Sequence, residues 1–318
     1  MVKVSIVIPT KNDEKWIEKC LNSIKNLEFR DYEVIIVDGC SSDRTVEIAK
    51  RFDCRIIFED KGTISYARDL GVKHAKGDFI AFTDADCVVA KDWIDELLKY
   101  FNDEKIAAVG GPNLTPEDDS EFGKCVGDVL FFLSKSGARY GFESEDVREI
   151  YHNPTCNVMY RKRVLEEVGG FNHRLITVDD EELDYRIRKR GYRILFNPKA
   201  IVWHYRRQNW KSFAKMAWNY GIGRIQAVKL HPEMLRFFYF IPTTIILIVF
   251  ILLLAGIFFK NLITIALLIL LLGGIGIAII SLFLSVKRKK LRRFPKYFGL
   301  IAIWFWGYGL GVLRGIFK

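Results

Sequence analysis

The stretch FIAFTDADC, Phe79–Cys87, decides how this chain folds and where its chemistry lies. It runs apolar through Phe82 and then turns acidic, with Asp84 and Asp86 two residues apart. A short apolar run bounded by polar residues reads as a strand buried on both faces. Working outward, Val4–Ile8, Glu33–Val37, Arg55–Phe58 and the short Ala107–Val109 have the same character. Helical stretches separate them. Trp16, Ile17, Cys20, Leu21 and Ile24 fall on one stripe, Ser42 or Asp43 can cap a helix reaching Arg51, and Ile64–Ala75 and Trp93–Phe101 follow. Strand and helix in alternation predict an α/β domain with a largely parallel sheet.

Ligands of such sheets bind beyond the carboxyl ends of the strands. The first strand is followed by Pro9-Thr10-Lys11-Asn12-Asp13, the second by Asp38-Gly39-Cys40-Ser41-Ser42-Asp43, and the fourth by Asp84-Ala85-Asp86. Neither a G-x-G-x-x-G nor a G-x-x-x-x-G-K-[ST] pattern is present, so neither a dinucleotide fingerprint nor a P-loop explains these loops. A lone Asp after a strand is commonly a turn residue. Three converging polar loops are harder to assign that way. Alternate carboxylates at Asp84 and Asp86 can aim at one hard cation, Mg²⁺ or Mn²⁺, which would neutralise a departing diphosphate.

With these motifs in view, residues 1–210 resemble a family 2 glycosyltransferase with the nucleotide-sugar-binding GT-A fold. The stretches that carry the resemblance are SIVIPTKND, VIIVDGCSSDRT, SYARDLGVKHAKGDFIAFTDADC, TCNVMYRKRVLEEVGGF and DDEELDYRIRKRGYRI, in order and in register. The resemblance implies that Pro9, Thr10 and Asp38 line the nucleoside pocket, and that Arg68 approaches the diphosphate. Asp84 would face the ribose and diphosphate, with Asp86 the main metal ligand and His204 a third. It also implies that Asp180 is the catalytic base, supported by Asp179, where the family usually has Glu. Gly110-Gly111-Pro112 and Thr155-Cys156-Asn157 would flank the donor sugar and the acceptor. Each has a plainer reading: Arg68 as a surface helix cation, His204 as a buried structural imidazole, and the Asp179–Glu182 run as a solvated helix start favoured by the dipole.

Physically, a hydroxyl acceptor needs a carboxylate to take its proton, whereas a phosphate acceptor is already anionic. Polyprenyl-phosphate sugar synthases resemble this chain, but their metal loop usually continues with Leu-Gln and a Pro-containing turn, and here it reads DADCVVAKDW. The Q-x-x-R-W of processive synthases is absent as well; the region reads RRQNWKSF. The expectation is therefore inverting transfer of a single sugar to a hydroxyl of a polyprenyl- or dolichyl-linked glycan or glycolipid. GDP-mannose is placed ahead of a UDP-sugar as donor because similar archaeal membrane enzymes transfer mannose. A polyprenyl-phosphate mannose or glucose synthase and a non-catalytic nucleotide-sugar-binding scaffold are the alternatives.

The 318 residues carry a net charge of +10. Eleven Lys/Arg and no Asp or Glu lie between Arg236 and Lys318, so Met1–Leu235 is close to neutral. This distribution excludes the basic stripe of a nucleic-acid binder and points to a lipid bilayer. Phe237–Phe259 has 23 uncharged residues, about 34 Å as a helix and enough to span hydrocarbon. Lys260-Asn261 is a polar break, and Leu262–Val286 is a second uncharged run. KRKKLRRFPK, Lys287–Lys296, follows with seven basic residues in ten, which places that loop, and with it the N-terminal domain, in the cytoplasm. The chain enters a strand-like run directly at MVKVSIVIPTKND, with no signal peptide ahead of it, in agreement. The expected organisation is a catalytic domain over 1–209, an amphipathic interface helix or packed surface helix within 210–236, and membrane helices at 237–259, 262–286 and a third span at 298–317, which could instead lie in the interface. Six cysteines without a C-x-x-C pair read as buried thiols, and abundant Lys, Arg, Glu and Ile with two Gln lean toward a thermophile.

Overall fold

The computed structural model describes residues 3–133 and 146–317. Two compact units are each assembled from separated stretches. The first comprises Met1–Asp118, Ser134–Leu175 and Asp179–Tyr205, and the second Asp119–Leu133, Ile176–Val178 and Arg206–Lys318.

In the first unit, β1 (Val4–Thr10), β2 (Tyr32–Asp38), β3 (Arg55–Phe58) and β4 (Phe79–Phe82) are mutually parallel. The sheet continues through β9 (Val158–Arg161), β6 (Ile106–Gly110), β10 (Arg193–Phe196) and β8 (Arg148–Glu149), in the order β3-β2-β1-β4-β9-β6-β10-β8. Strands β8 and β9 alone run against the rest. This mostly parallel sheet is the architecture expected from the alternating pattern.

Every residue of β1 is buried because helices cover both sheet faces. Ile6 and Ile8 join one core with Ile17, Cys20, Leu21 and Ile24 of α1 (Ile17–Lys25) and with Trp93 of α4 (Trp93–Leu98). Val7 faces the opposite core, with Ala67 and Val72 of α3 (Ile64–His74), Val164 of α6 (Lys162–Val168) and Leu183 of α7 (Asp179–Lys189). The period-two alternation of the strand thus feeds two layers. Each such side chain contributes about 1.5–3 kcal/mol on burial. At Gly71 any Cβ would strike the Val7 side chain, so the glycine sets how closely α3 lies on β1.

Helix α2 (Thr45–Ala49) is shorter and starts later than the sequence implies. Asp43 does not cap it. Its carboxylate accepts the Thr45 N–H at 3.0 Å and forms a turn ahead of the helix. A second sheet, β5-β11-β7, is built from Cys87–Val89, Val202–His204 and Asn113–Leu114.

The second unit is helical. It holds α5 (Glu121–Leu133), α8 (Trp210–Leu230), α9 (Ile241–Ala255), α10 (Lys260–Lys287) and α11 (Phe294–Ile316). Among the described residues, three segments are long and apolar enough to cross a membrane: Phe237–Ala255, Lys260–Lys287 and Leu291–Ile316. The break between the first two falls at Gly256–Phe259 rather than at Lys260-Asn261, since α9 stops at Ala255 and Lys260 already begins α10. Helix α8 stops at Leu230, ahead of Pro232.

Helix α8 runs parallel to α11 along its whole length. Trp210 meets Gly299, the Gly221 and Gly311 positions bring the two backbones into contact, and Lys229 Nζ donates to the carbonyls of Gly315 (3.0 Å) and Ile316 (2.9 Å). Gly307, Gly311 and Gly315 recur every fourth residue, the spacing that lets helices approach closely. The basic loop is partly neutralised by α5. Arg293 is buried, with Nε 2.9 Å from Glu121 and Nη1 3.3 Å from Asp128, and Arg288 Nη2 lies 2.7 Å from Asp128. The Arg293 guanidinium holds the Glu121 carboxyl down at about 2.

Candidate active site

Strand order reverses between β1 and β4, and ligands of open α/β sheets bind at such a point. There the carboxyl ends of β1, β2 and β4 lie side by side, with Thr10 paired in register with Asp38 and the Thr83 N–H 3.4 Å from the Val7 carbonyl. Thr10 Oγ1 donates to Asp13 Oδ2 at 2.9 Å. Asp38 is fully buried and accepts from Ser41 N–H at 2.9 Å and Ser41 Oγ at 2.5 Å. The two loops are latched by Asn12, whose N–H reaches Ser41 Oγ at 2.8 Å and whose Oδ1 accepts from Ser42 N–H at 2.8 Å. Pro9 and Thr10 stand on this rim with Asp38.

The Asp84-Ala85-Asp86 turn connects β4 to β5. Strand β11 pairs antiparallel with β5, matching His204 to Cys87, and the Tyr205 N–H bonds the Asp86 carbonyl at 3.0 Å. That pairing carries His204 Nε2 to 3.2 Å from Asp86 Oδ1 across more than a hundred residues of sequence. Ligand atoms of Asp84, Asp86, Cys87 and His204 all lie within 4.8 Å of one another. Burial and the neighbouring Cys156 keep the Cys87 thiol well above its ordinary range, so it is a neutral bystander. Two carboxylates and an imidazole remain, a donor set that suits Mn²⁺ or Mg²⁺ over a thiolate-seeking ion. Burial pushes the Asp84 carboxyl up to about 7, against the pull of Arg68.

Arg68 is buried, which removes its reading as a surface cation. Its Nη1 lies 2.7 Å from Asp179 Oδ2 and its Nη2 3.8 Å from Asp84 Oδ1, so the guanidinium links the two acidic motifs. Asp179 also accepts from Ser65 Oγ at 3.1 Å. Its short side chain is committed to holding Arg68. Asp180, the next residue, is buried at the first turn of α7, where Oδ1 accepts the Glu181 N–H at 2.9 Å. Immediately before the pair, Val178 has φ 66°, a left-handed conformation that a β-branched residue rarely adopts. Such strain persists where surrounding structure over-determines it, commonly at functional sites.

Two residues that the sequence did not single out complete this corner. His152 Nδ1 lies 3.0 Å from Asp184 Oδ2, and His152 Nε2 lies 3.7 Å from Asp180 Oδ2. No periodicity or spacing marks His152, and only the fold brings it to α7. In the Thr155-Cys156-Asn157 segment, Asn157 is fully buried and tied into the fold. Its buried amide accepts from Trp93 Nε1 at 2.8 Å and donates to the carbonyls of Pro112 (2.8 Å) and Ala200 (2.7 Å).

A mostly parallel sheet with a carboxylate and imidazole cluster at one strand end and an acidic pair at a nearby helix start is the arrangement of a GT-A fold. The chain belongs to glycosyl transferase family 2, whose pattern matches residues 5–169. It is similar to the dolichyl N-acetyl-alpha-D-glucosaminyl phosphate 3-beta-D-2,3-diacetamido-2,3-dideoxy-beta-D-glucuronosyltransferase of Methanococcus voltae, at 27% identity over 70% of this chain and 72% of the relative. It is also similar to glycosyltransferase AglE of Haloferax volcanii, at 29% identity over 73% of this chain and 76% of the relative. Among solved structures, the mannosyltransferase PcManGT of Pyrobaculum calidifontis, in complex with GDP-Man and Mn²⁺, has the same fold. Its TM-score is 0.57 and its identity 19%, over 73% of this chain and 64% of that one.

Proposed function

We propose that this glycosyltransferase is an inverting, metal-dependent enzyme that moves one sugar from a nucleoside-diphosphate sugar to a hydroxyl of a lipid-linked glycan or glycolipid. The observation that carries this reading is the convergence of Asp84, Asp86 and His204 at one strand end, joined through Arg68 to the Asp179-Asp180 helix start. Pro9, Thr10 and Asp38 would border the nucleoside. A divalent ion held by Asp86, His204 and Asp84 would supply positive charge to the departing diphosphate. Arg68 adds a fixed cation beside the same oxygens. Asp180 takes the acceptor hydroxyl's proton as its oxygen attacks the anomeric carbon opposite the diphosphate, which inverts configuration.

The Methanococcus relative is named for adding a sugar to a dolichyl-phosphate-linked sugar, which supports a hydroxyl acceptor over bare polyprenyl phosphate. The PcManGT complex supports GDP-mannose as the first donor to try, with UDP-sugars next. The apolar C-terminal helices fit a membrane anchor, and the Lys287–Lys296 loop favours a cytoplasmic catalytic domain.

The test is nucleotide release and sugar transfer by the purified full chain, with Mn²⁺, across a nucleotide-sugar panel. Both a glycosylated polyprenyl phosphate and bare polyprenyl phosphate serve as acceptors. Asp86→Ala and Asp180→Asn should each lower kcat by at least about 100-fold. Full transfer by both variants overturns the site assignment. Transfer to the bare phosphate alone identifies a polyprenyl-phosphate sugar synthase instead.

A further inference from the structure

Strand β11 is three residues long, and His204 is the last of them. A metal ligand must be held to within about 0.5 Å of its working position by its surroundings, so a ligand at a strand end depends on what anchors the chain beyond it. The residue beyond is Tyr205. Its N–H bonds the Asp86 carbonyl at 3.0 Å, which ties its main chain to the Asp84-Ala85-Asp86 turn. Its ring is buried and stacks on Trp16, with centroids 4.1 Å apart and planes at 21°. Its hydroxyl accepts from Lys19 Nζ at 2.9 Å and donates to Asp118 at 2.8 Å. The Lys19 and Asp118 side chains are 50% and 60% exposed, so their own ion pair adds little to stability. What they do is orient the phenol.

Trp16 is anchored in turn. It stands half-buried at the start of α1, its N–H donates to the Asp13 carbonyl at 2.9 Å, and Lys15 Nζ lies 4.2 Å from the ring centroid. Asp13 Oδ2 accepts from Thr10 Oγ1 and from the Lys11 N–H, both at 2.9 Å. The stack therefore braces the end of β11 against the loop that follows β1.

We propose that Trp16 and Tyr205 are the positioning pair of the cation site: their stack holds the end of β11 so that the His204 imidazole meets Asp86. This rests on the reading of Asp84, Asp86 and His204 as a divalent-cation site given above. Neither ring is itself a ligand. Successive side chains of an extended chain point to opposite sides, and Tyr205 goes to Trp16 while His204 goes to Asp86. An indole N–H is a donor only. The pair acts by keeping the imidazole in place before an ion arrives, so that binding does not first have to order it.

The experiment measures Mn²⁺ binding from the electron paramagnetic resonance signal of the free ion, with the full chain in detergent and no nucleotide sugar present. Trp16→Leu should weaken Mn²⁺ affinity about 10- to 100-fold, the range for partners that orient a metal ligand. Trp16→Phe keeps a ring for the stack and should return to within about threefold of the unsubstituted protein. Phe101→Leu is the control. Phe101 is buried against Phe79, at the other end of β4 from Asp84, with centroids 4.8 Å apart. Its loss should lower the denaturation midpoint and leave Mn²⁺ affinity unchanged. Unchanged affinity in Trp16→Leu overturns the proposal, and so does an equal loss in Phe101→Leu. If Trp16→Leu does not fold, Tyr205→Phe decides. It keeps the ring but drops the hydroxyl from Lys19 and Asp118, and should weaken Mn²⁺ about threefold; unchanged affinity there overturns the proposal. When His204→Ala weakens Mn²⁺ binding and Trp16→Leu does not, only this inference fails. When His204→Ala binds Mn²⁺ as the unsubstituted protein does, the cation-site reading fails and takes the inference with it.

Discussion

Arg68 shows what one side chain does when it serves two motifs. Its guanidinium lies on Asp179 at 2.7 Å and near Asp84 at 3.8 Å, all within a site where those acids are wholly or largely removed from water. Removing the cation leaves uncompensated acidic charge. Arg68→Met should therefore lower stability by about 3–5 kcal/mol, read as a lower denaturation midpoint, and should lose nucleotide affinity as well. Arg68→Met with unchanged stability would return this residue to the helix surface. The sequence made Asp84, Asp86 and Asp180 legible because each sits at a strand end or helix start, where position itself carries meaning. It could not distinguish a buried Arg68 from an exposed one, since its neighbours on α3 read equally well either way. His152 and Asp184 were invisible for another reason. Their partnership depends on a loop crossing to a helix turn 32 residues away in sequence, and no local pattern encodes that. The shorter Asp at 179 has a role the family comparison could not supply: its length matches Arg68 and Ser65.

Among the elements, the helix pair α8 and α11 bears most on the membrane. Read as sequence, 298–317 is apolar enough to serve as a third span, and Leu291–Ile316 meets that criterion in the structure too. Its partner alters the balance. Helix α8 follows α11 from Trp210 beside Gly299 to Lys229 beside Gly315, and it carries Lys211, Lys215, Arg224 and Lys229. If α11 crossed the bilayer, these cations would travel with it. Lys215 and Arg224 would lie within the hydrocarbon, at up to about 2.5–3.5 kcal/mol for each residue near its centre, which opposes the modest apolar gain of α11. The pair is expected to lie along the headgroup layer, leaving α9 and α10 as the crossing hairpin. A protease-cleavable tag after Lys318 should then be accessible from the same side of sealed vesicles as a cysteine placed in the Lys287–Lys296 loop. Accessibility from opposite sides restores the third span. The apolar runs told of membrane affinity, but only the register of α8 on α11 bears on orientation.

Across the whole molecule, the two compact units are threaded through one another in sequence. Strand and helix alternation gave the sheet of the first unit in outline, yet nothing in it revealed that Glu121–Leu133 belongs with the C-terminal helices. Helix α5 has ordinary amphipathic composition, and its Glu121 and Asp128 find Arg293 and Tyr297 only in three dimensions, with Tyr297 Oη 2.6 Å from Asp128 Oδ2. A fragment ending at residue 209 should thus express as an unstable or aggregating protein, because α5 would keep a buried acid and an apolar face without their partners. A monomeric, cooperatively unfolding 1–209 fragment would show that α5 does not need the C-terminal helices. The same threading has a temporal side. Glu121 and Arg293 are 172 residues apart. At about 5–20 residues per second, ribosomal synthesis separates them by about 10–30 s. During that interval α5 is already made while the segment that completes it is still being translated. Completion of α5 therefore waits on synthesis of the segment that carries Arg293 and Tyr297.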